Sequence, residues 1–434
     1  MSPGRHLAGR AHTRRAGTGL IRLDATELMD AVESQRDKLV EDFCSLLRVK
    51  AVGPESGGEG EHDRARHIVT LARRLGLTDI EVLESSDPNV PSGKRPNIII
   101  RVKGRSAKRL WVVSHMDTVP EGDLSAWTTP PYEPTVKDGR IYGRGSEDNG
   151  QELMASLCGL ATLVRSGLVP ELDVGLVMVA DEEHGNAHGI DFLMSKGLFK
   201  KGDLVVVPDH GSLDGSELEV VEKGIAWIDV EVTGKQTHAS TPHKGVNALE
   251  VAAKFMLAAV SKLRAKYAVR DDLFDPPYST FEPTRCESNG PNVNTVPGRQ
   301  RFAFDFRVLP GYSLDEVMAD LRAVADETAR AADAQITMSF LQRADAAPRT
   351  PLDSDVVRRL SEAISLTRDV VAKPTGIGGG TCAAPFRRAG IDAVVWASVA
   401  SVAHDVNEYC IIDNLVGDTK VYALLFAGDG VRHA

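Results

Sequence analysis

Leu110-Trp111-Val112-Val113-Ser114-His115-Met116-Asp117 is an apolar run that ends in a histidine and an aspartate. Further on, Gly143-Arg144-Gly145-Ser146-Glu147-Asp148 brings another carboxylate on a glycine-rich turn. A histidine and a carboxylate delivered by two loop ends, each beside buried apolar structure, are what a zinc site needs. Working outward, Leu176-Val177-Met178-Val179-Ala180 is followed by Asp181-Glu182-Glu183, and Leu204-Val205-Val206-Val207-Pro208 by Asp209. Near the end, His404 stands in Ala403-His404-Asp405-Val406-Asn407-Glu408.

Around these runs the pattern alternates. Leu28, Met29, Val32, Leu39, Val40, Phe43, Leu46 and Leu47 recur at near-helical spacing and predict one amphipathic helix from Thr26, ended by the loop Gly53 to Gly60. A helix around Arg64 to Leu75 and the β-type runs Ile80 to Leu83 and Asn97 to Val102 come next. Strands alternating with helices, several of them continuously apolar, predict an α/β layer structure around a largely buried sheet. Ligand sites in such sheets lie beyond the carboxyl ends of strands, which is where His115, Glu182, Glu183 and Asp209 stand.

The 434 residues exceed one ordinary core, so two domains are expected. After the turn-rich Gly211 to Gly215 the pattern reads strand (Ile225 to Val232), helix (Asn247 to Ala265), strand (about Pro291 to Thr295), strand (Gln300 to Val308), helix (Ser313 to Ala332) and strand (Ile336 to Leu341). That order is ferredoxin-like. Asp271 to Phe281, with Pro276-Pro277, reads as an irregular insertion. The chain returns near Asp345, forms a helix around Asp355 to Leu366 and passes through Gly376-Ile377-Gly378-Gly379-Gly380-Thr381.

Hydrophobic residues at 42% and charged residues at 26% describe a soluble globular protein. No apolar run approaches the ~18 residues of a membrane span. A formal charge of −10 argues against a nucleic-acid partner. Five widely spaced cysteines form neither a disulfide framework nor a Cys-x-x-Cys site, so a reducing cytoplasm is the expected home. Residues 1–23, rich in Arg and Gly without an apolar h-region, read as a disordered tail.

Taken together and in this order, the five motifs resemble the co-catalytic zinc metallopeptidase family that includes aminoacylase, acetylornithine deacetylase, succinyl-diaminopimelate desuccinylase, glutamate carboxypeptidase and carnosinase-type dipeptidases. The resemblance runs from about Leu39 to the C-terminus. It implies a catalytic domain with a mixed, largely parallel sheet in two parts, 24–217 and 344–434, and an inserted ferredoxin-like lid and dimerisation domain, 218–343. It implies two divalent metal ions, zinc before cobalt or manganese, bridged by Asp148. His115 and Asp209 complete one ion's ligands, Glu183 and His404 the other's.

By the same resemblance Asp117 fixes the His115 imidazole and Glu182 is the general base. His238 reaches a neighbouring subunit's site in a homodimer, and Asn294, Arg307, Gly380 and Thr381 line the substrate pocket. Two departures stand out. Asn149 follows the bridging aspartate where many relatives carry Lys, and Asp209 matches amino- and dipeptidases, where carboxypeptidases and the desuccinylase have Glu.

The expectation is therefore a metal-dependent hydrolase that cleaves an amide or peptide bond in a small substrate with a free carboxylate, a dipeptide or N-acyl amino acid. A desuccinylase- or deacetylase-like deacylase is the alternative within the class. A metal-containing binding protein without turnover is the alternative outside it, and the intact ligand set with Glu182 speaks against that.

Overall fold

In the computed structural model, which describes residues 24–288 and 292–430, eight strands form one twisted sheet. The expected tail, 1–23, lies outside the described residues. Across the sheet the strands are Ile80–Ser86, Lys94–Val102, Leu172–Val179, Ser106–His115, Leu204–Val207, Asp392–Val395, Glu217–Glu222 and Lys373–Ile377. The three pairings from Leu172–Val179 to Asp392–Val395 are parallel, as is the last, and the other three are antiparallel.

The central strands are apolar on both faces because both faces are covered. Leu110, Val112, Leu176, Leu204 and Val206 pack into a large core with the helices Arg36–Leu47, His62–Arg74, Gly150–Arg165 and Ile412–Ala427. Trp111, Val113, Val177, Val205 and Val207, one residue out of phase, pack on the other face with Ile190, Leu193, Phe199 and Phe386. The period-2 alternation of a strand thus sorts a continuous apolar run into two cores.

Gly150–Arg165 is one of the helices the sequence reading does not identify, with Ile412–Ala427 and the short Ile190–Ser195 and Ala383–Arg388. Nearly every residue of Gly150–Arg165 is buried, so it carries no amphipathic stripe to read. It starts directly beyond the Asp148 turn, and a Cβ on Gly150 would lie 2.3 Å from the Gly145 carbonyl oxygen, so only glycine allows that approach. The expected first helix is in fact two, Ala25–Glu33 and Arg36–Leu47. The polar run Ser34-Gln35 interrupts it, and the Ser34 hydroxyl bonds back to Ala31 O.

The second sheet has four antiparallel strands in the order Thr280–Cys286, Arg299–Val308, Gly224–Thr233 and Gln335–Ala344, with the helices Ala248–Lys266 and Leu314–Ala332 on one face. This is the ferredoxin-like arrangement. Its second strand is not at 291–295. Of that stretch residue 291 lies outside the described residues, and Thr295–Val296 instead pairs with Thr237–His238 in a small ribbon. Thr280–Cys286 is an edge strand with one buried residue, and Pro283 sits where the register shifts, so neither alternation nor propensity marks it.

The junction also differs from the expected 218. Glu217–Glu222 belongs to the large sheet, and Gly224 already pairs with Val308 in the small one, so the chain crosses at Lys223, whose N–H bonds Ile377 O.

Candidate metal centre and active site

Five side chains converge beyond the carboxyl ends of the central strands. His115 ends its strand; its Nε2 lies 2.8 Å from Asp148 Oδ1 and 3.4 Å from Asp209 Oδ1. His404 Nε2 lies 3.1 Å from both Asp148 Oδ2 and Glu183 Oε2. Two triads result, His115 with Asp148 and Asp209, and Asp148 with Glu183 and His404; within each, the potential ligand atoms lie within 4.8 Å of one another. Asp148 belongs to both and offers one oxygen to each.

The donor set fits a pair of divalent cations. Three carboxylates and two imidazoles are hard and borderline ligands of the kinds zinc takes. Without a cation the imidazoles must supply the positive charge: hydrogen bonds to Asp148 and Glu183 push His404 up to about 10. Burial alone would lower His115, yet Asp148, Asp117 and Asp209 hold it well above its ordinary value. Glu183 Oε1 is buried with no hydrogen-bond partner, an acceptor that a metal would satisfy.

The loops that carry these groups are held by other carboxylates. Glu408 accepts the main-chain N–H groups of Gly145, Glu147 and Asp148 and pairs with Arg144 at 2.7 Å. In return, Glu147 accepts the N–H groups of Ala400, Val402 and Ala403, the approach to His404. The two acids thus clasp the Asp148 loop and the His404 loop to each other. Burial pushes Glu408 up to about 7, against the pull of its donors.

On the opposite side Asp117 accepts the N–H groups of Glu182 and Glu183, one on each oxygen. His115 Nδ1 lies 3.0 Å from Asp117's main-chain oxygen and 3.5 Å from its carboxylate, so the ring is fixed mainly by the backbone, and the carboxylate orients the glutamates instead. Asp181, in the left-handed region at φ 65°, donates its N–H to Glu61, which is paired with the fully buried Arg95.

Glu182 belongs to neither triad. Burial, then the charges of Asp209, Asp117 and Asp148, push it well above the ordinary carboxylate range, although His115 opposes them. Beside Asp209 opens a cavity of about 730 Å³ lined by the Gly378-Gly379-Gly380-Thr381 backbone. Thr381 is held by its N–H and hydroxyl to Glu222.

The remaining expected residues stand on the second unit. Arg307 is not free for a ligand, because Nε and Nη2 form a two-bond pair with Asp305 and Nη1 bonds Gly378 O. His238 pairs with Thr295 in the small ribbon, and the main-chain oxygen of the adjoining Asn294 accepts the Ala239 N–H. The His238 ring is exposed, and its Nδ1 accepts the Ser240 N–H. Sequence reasoning therefore names the five groups that converge here and gives no role to Glu61, Arg95, Arg144, Glu147 and Glu408. Proximity to a ligand was the available signal for three of these: Arg144 precedes Asp148 by four, Glu147 precedes it directly, and Glu408 follows His404 by four.

Comparison with known proteins bears on the whole chain. An uncharacterised metallohydrolase of Methanocaldococcus jannaschii is 36% identical over 91% of this chain and 99% of its own length. A succinyl-diaminopimelate desuccinylase of Gluconacetobacter diazotrophicus is 26% identical over 87% of this chain and 93% of its own. The aminopeptidase PepT of Bacillus cereus superposes with a TM-score of 0.72 at 20% identity, covering 90% of this chain and 98% of that one, which establishes the shared fold. Among the described residues no helix is long and apolar enough to cross a membrane. The family model for peptidase family M20/M25/M40 matches residues 111–427, from the strand that carries His115 to the last helix, and the chain belongs to that family of metal-dependent hydrolases.

Proposed function

We propose that this protein is a two-metal amidohydrolase that cleaves the amide bond of a dipeptide or N-acyl amino acid with a free carboxylate. The observation that carries this reading is the pair of triads sharing Asp148, with Glu182 beside them and in neither. His115, Asp148 and Asp209 would hold one ion, and Asp148, Glu183 and His404 the other. Zinc is the ion this donor set suits best, with cobalt or manganese as substitutes. Bound there, a metal pair polarises the carbonyl and acidifies water from about 15.7 towards ~7.

Everything else falls to the chain's own groups. Glu182 takes the proton of the attacking water and passes it to the leaving amine nitrogen. Asp117 fixes the backbone from which Glu182 and Glu183 project by accepting both of their N–H groups. On the lid unit, 224–344, His238 accepts the Ser240 N–H at Nδ1, which leaves Nε2 to carry a proton and donate it to an oxyanion. We assign it to a neighbouring subunit's site in a homodimer. Asn294, Gly380 and Thr381 contribute polar lining, and Arg307 can reach a substrate carboxylate only by releasing Asp305. Five free cysteines fit a reducing cytoplasm.

A desuccinylase or deacetylase reading has its support in the desuccinylase relative. Asp209 favours the dipeptidase side through the resemblance set out above. The zinc-loaded protein assayed against dipeptides, N-acetyl and N-succinyl amino acids separates them. Turnover of dipeptides above the acyl substrates is expected, preference for N-succinyl substrates replaces our reading with the deacylase, and two bound metals with no turnover on any class would leave a binding protein.

A further inference from the structure

The Glu182 carboxylate needs a fixed position to act on a water, yet its side chain has few partners. Among the described residues the polar side-chain group within hydrogen-bonding reach of it is the thiol of Cys382, with Sγ 3.6 Å from Oε1. The same sulfur lies 3.2 Å from Asn186 Oδ1. Cys382 is 3% exposed and packs in the core behind the sheet with Phe386, Val179 and Val207.

Both neighbours of the thiol are anchored. Thr381 is fixed by two hydrogen bonds to Glu222. Asn186, in the left-handed region at φ 67°, bonds through its N–H to Asp181 O and accepts the N–H groups of Gly189 and Asp191. The sulfur therefore sits between the Asn186 side-chain oxygen, carried on this fixed backbone, and the Glu182 carboxylate, and its single proton can be donated to only one of the two at a time. A thiol is a weak donor and a bulky, polarisable neighbour. It can brace a carboxylate without the competition for its lone pairs that a strong donor would bring.

We propose that Cys382 is a positioning residue for Glu182: the Asn186–Cys382 pair braces the Glu182 carboxylate in the orientation from which it meets the water. This rests on Glu182 being the general base. Displacing a reacting group by about 1 Å can cost up to ~10²-fold. Cys382→Ala should lower kcat roughly 10- to 100-fold, with KM and the content of two metals unchanged, on whichever dipeptide or N-acyl amino acid the wild type cleaves fastest. Cys382→Ser, which keeps a small donor in place, should recover most of the loss.

Asn186→Gly keeps the left-handed backbone and removes the amide. It should lower kcat in the same sense, and the Cys382→Ala/Asn186→Gly double variant should lose little more than Cys382→Ala alone, because both act through one contact. Crystal structures of the zinc-loaded proteins supply a readout independent of turnover: one Glu182 conformer in the wild type, and a displaced or split carboxylate in Cys382→Ala. A superimposable Glu182, a kcat within twofold of wild type, additive losses in the double variant, or a loss that follows metal content would each overturn the proposal. Failure of the underlying reading shows separately, as full turnover in Glu182→Ala.

Discussion

The metal centre and the polar face of the second sheet are both crowded with charge, yet they are built in opposite ways. Around the centre the supporting carboxylates are buried and fixed by main-chain donors: Glu408 takes three N–H groups and Arg144, Glu147 takes three more, and Asp117 takes two. On the small sheet Arg285 and Arg301 reach from the surface to the buried Asp229, while the exposed Arg299 pairs with the half-buried Glu231 at the surface. Exposed pairs of this kind are screened and contribute little. A carboxylate bonded to backbone N–H groups specifies where a loop lies. The difference teaches that the metal-binding groups and Glu182 are preorganised within one unit, whereas His238, Asn294 and Arg307 stand on the other.

If that contrast is right, the largest effect comes from the centre. Glu182→Ala should retain two metals and lose about 10²–10⁴-fold in turnover, the usual cost of removing a general base. Metal analysis beside the rate measurement checks it; turnover kept with one metal lost would mean that Glu182 and Glu183 have exchanged roles.

The clasp is the next test. Glu408→Ala leaves the Arg144 guanidinium, 2% exposed, and three main-chain N–H groups without their acceptor. Breaking a buried ion pair by removing one partner costs about 3–5 kcal/mol. Denaturant unfolding should show a loss of that order together with weaker metal retention, while Arg299→Ala on the small sheet should leave both nearly unchanged. Equal effects at the two sites would break the comparison.

The recognition surface makes a smaller claim. Mixed with Glu182→Ala protomers, inactive His238→Ala protomers should regain at most roughly a quarter of wild-type activity, since only mixed dimers offer one complete site in two. If mass measurement shows subunit exchange and no activity returns, His238 does not serve a neighbour.

What could be read in advance follows the same division. The ligand-bearing strands are legible because a strand buried on both faces reads as a short apolar run, and each such run ends where its ligand begins. Glu147 is not, because a carboxylate that bonds only to backbone leaves no complementary side chain in the sequence to pair it with, and Glu408 is not, because its one side-chain partner, Arg144, stands 264 residues away in the chain. Arg95 opens an apolar strand and looks like a surface residue at its end, but folding buries it against Glu61. The Gly150–Arg165 helix lacks a stripe because it is surrounded, and Thr280–Cys286 lacks alternation because it lies at an edge.

The junction between the two sheets offers the finest test, because it belongs to neither regime. Glu222 ends the last strand before the crossing and is buried beside Glu219, with Arg387 within 3.6 Å and Thr381 donating to it. Burial, then the Glu219 charge, raise it to about 7 against the opposing pull of Arg387 and Thr381. A folded-state value above the unfolded carboxylate value means that the folded protein holds the proton more tightly. The stability this contributes is full below the unfolded value, about 4.3 for a glutamate, and is lost as pH rises through 7. Glu222→Gln keeps an acceptor for Thr381 and removes the titration. Thermal unfolding of the metal-loaded protein between about pH 5 and 8 should therefore decline less steeply in Glu222→Gln than in the wild type, and parallel curves would mean that the junction carries an ordinary, solvated carboxylate charge throughout.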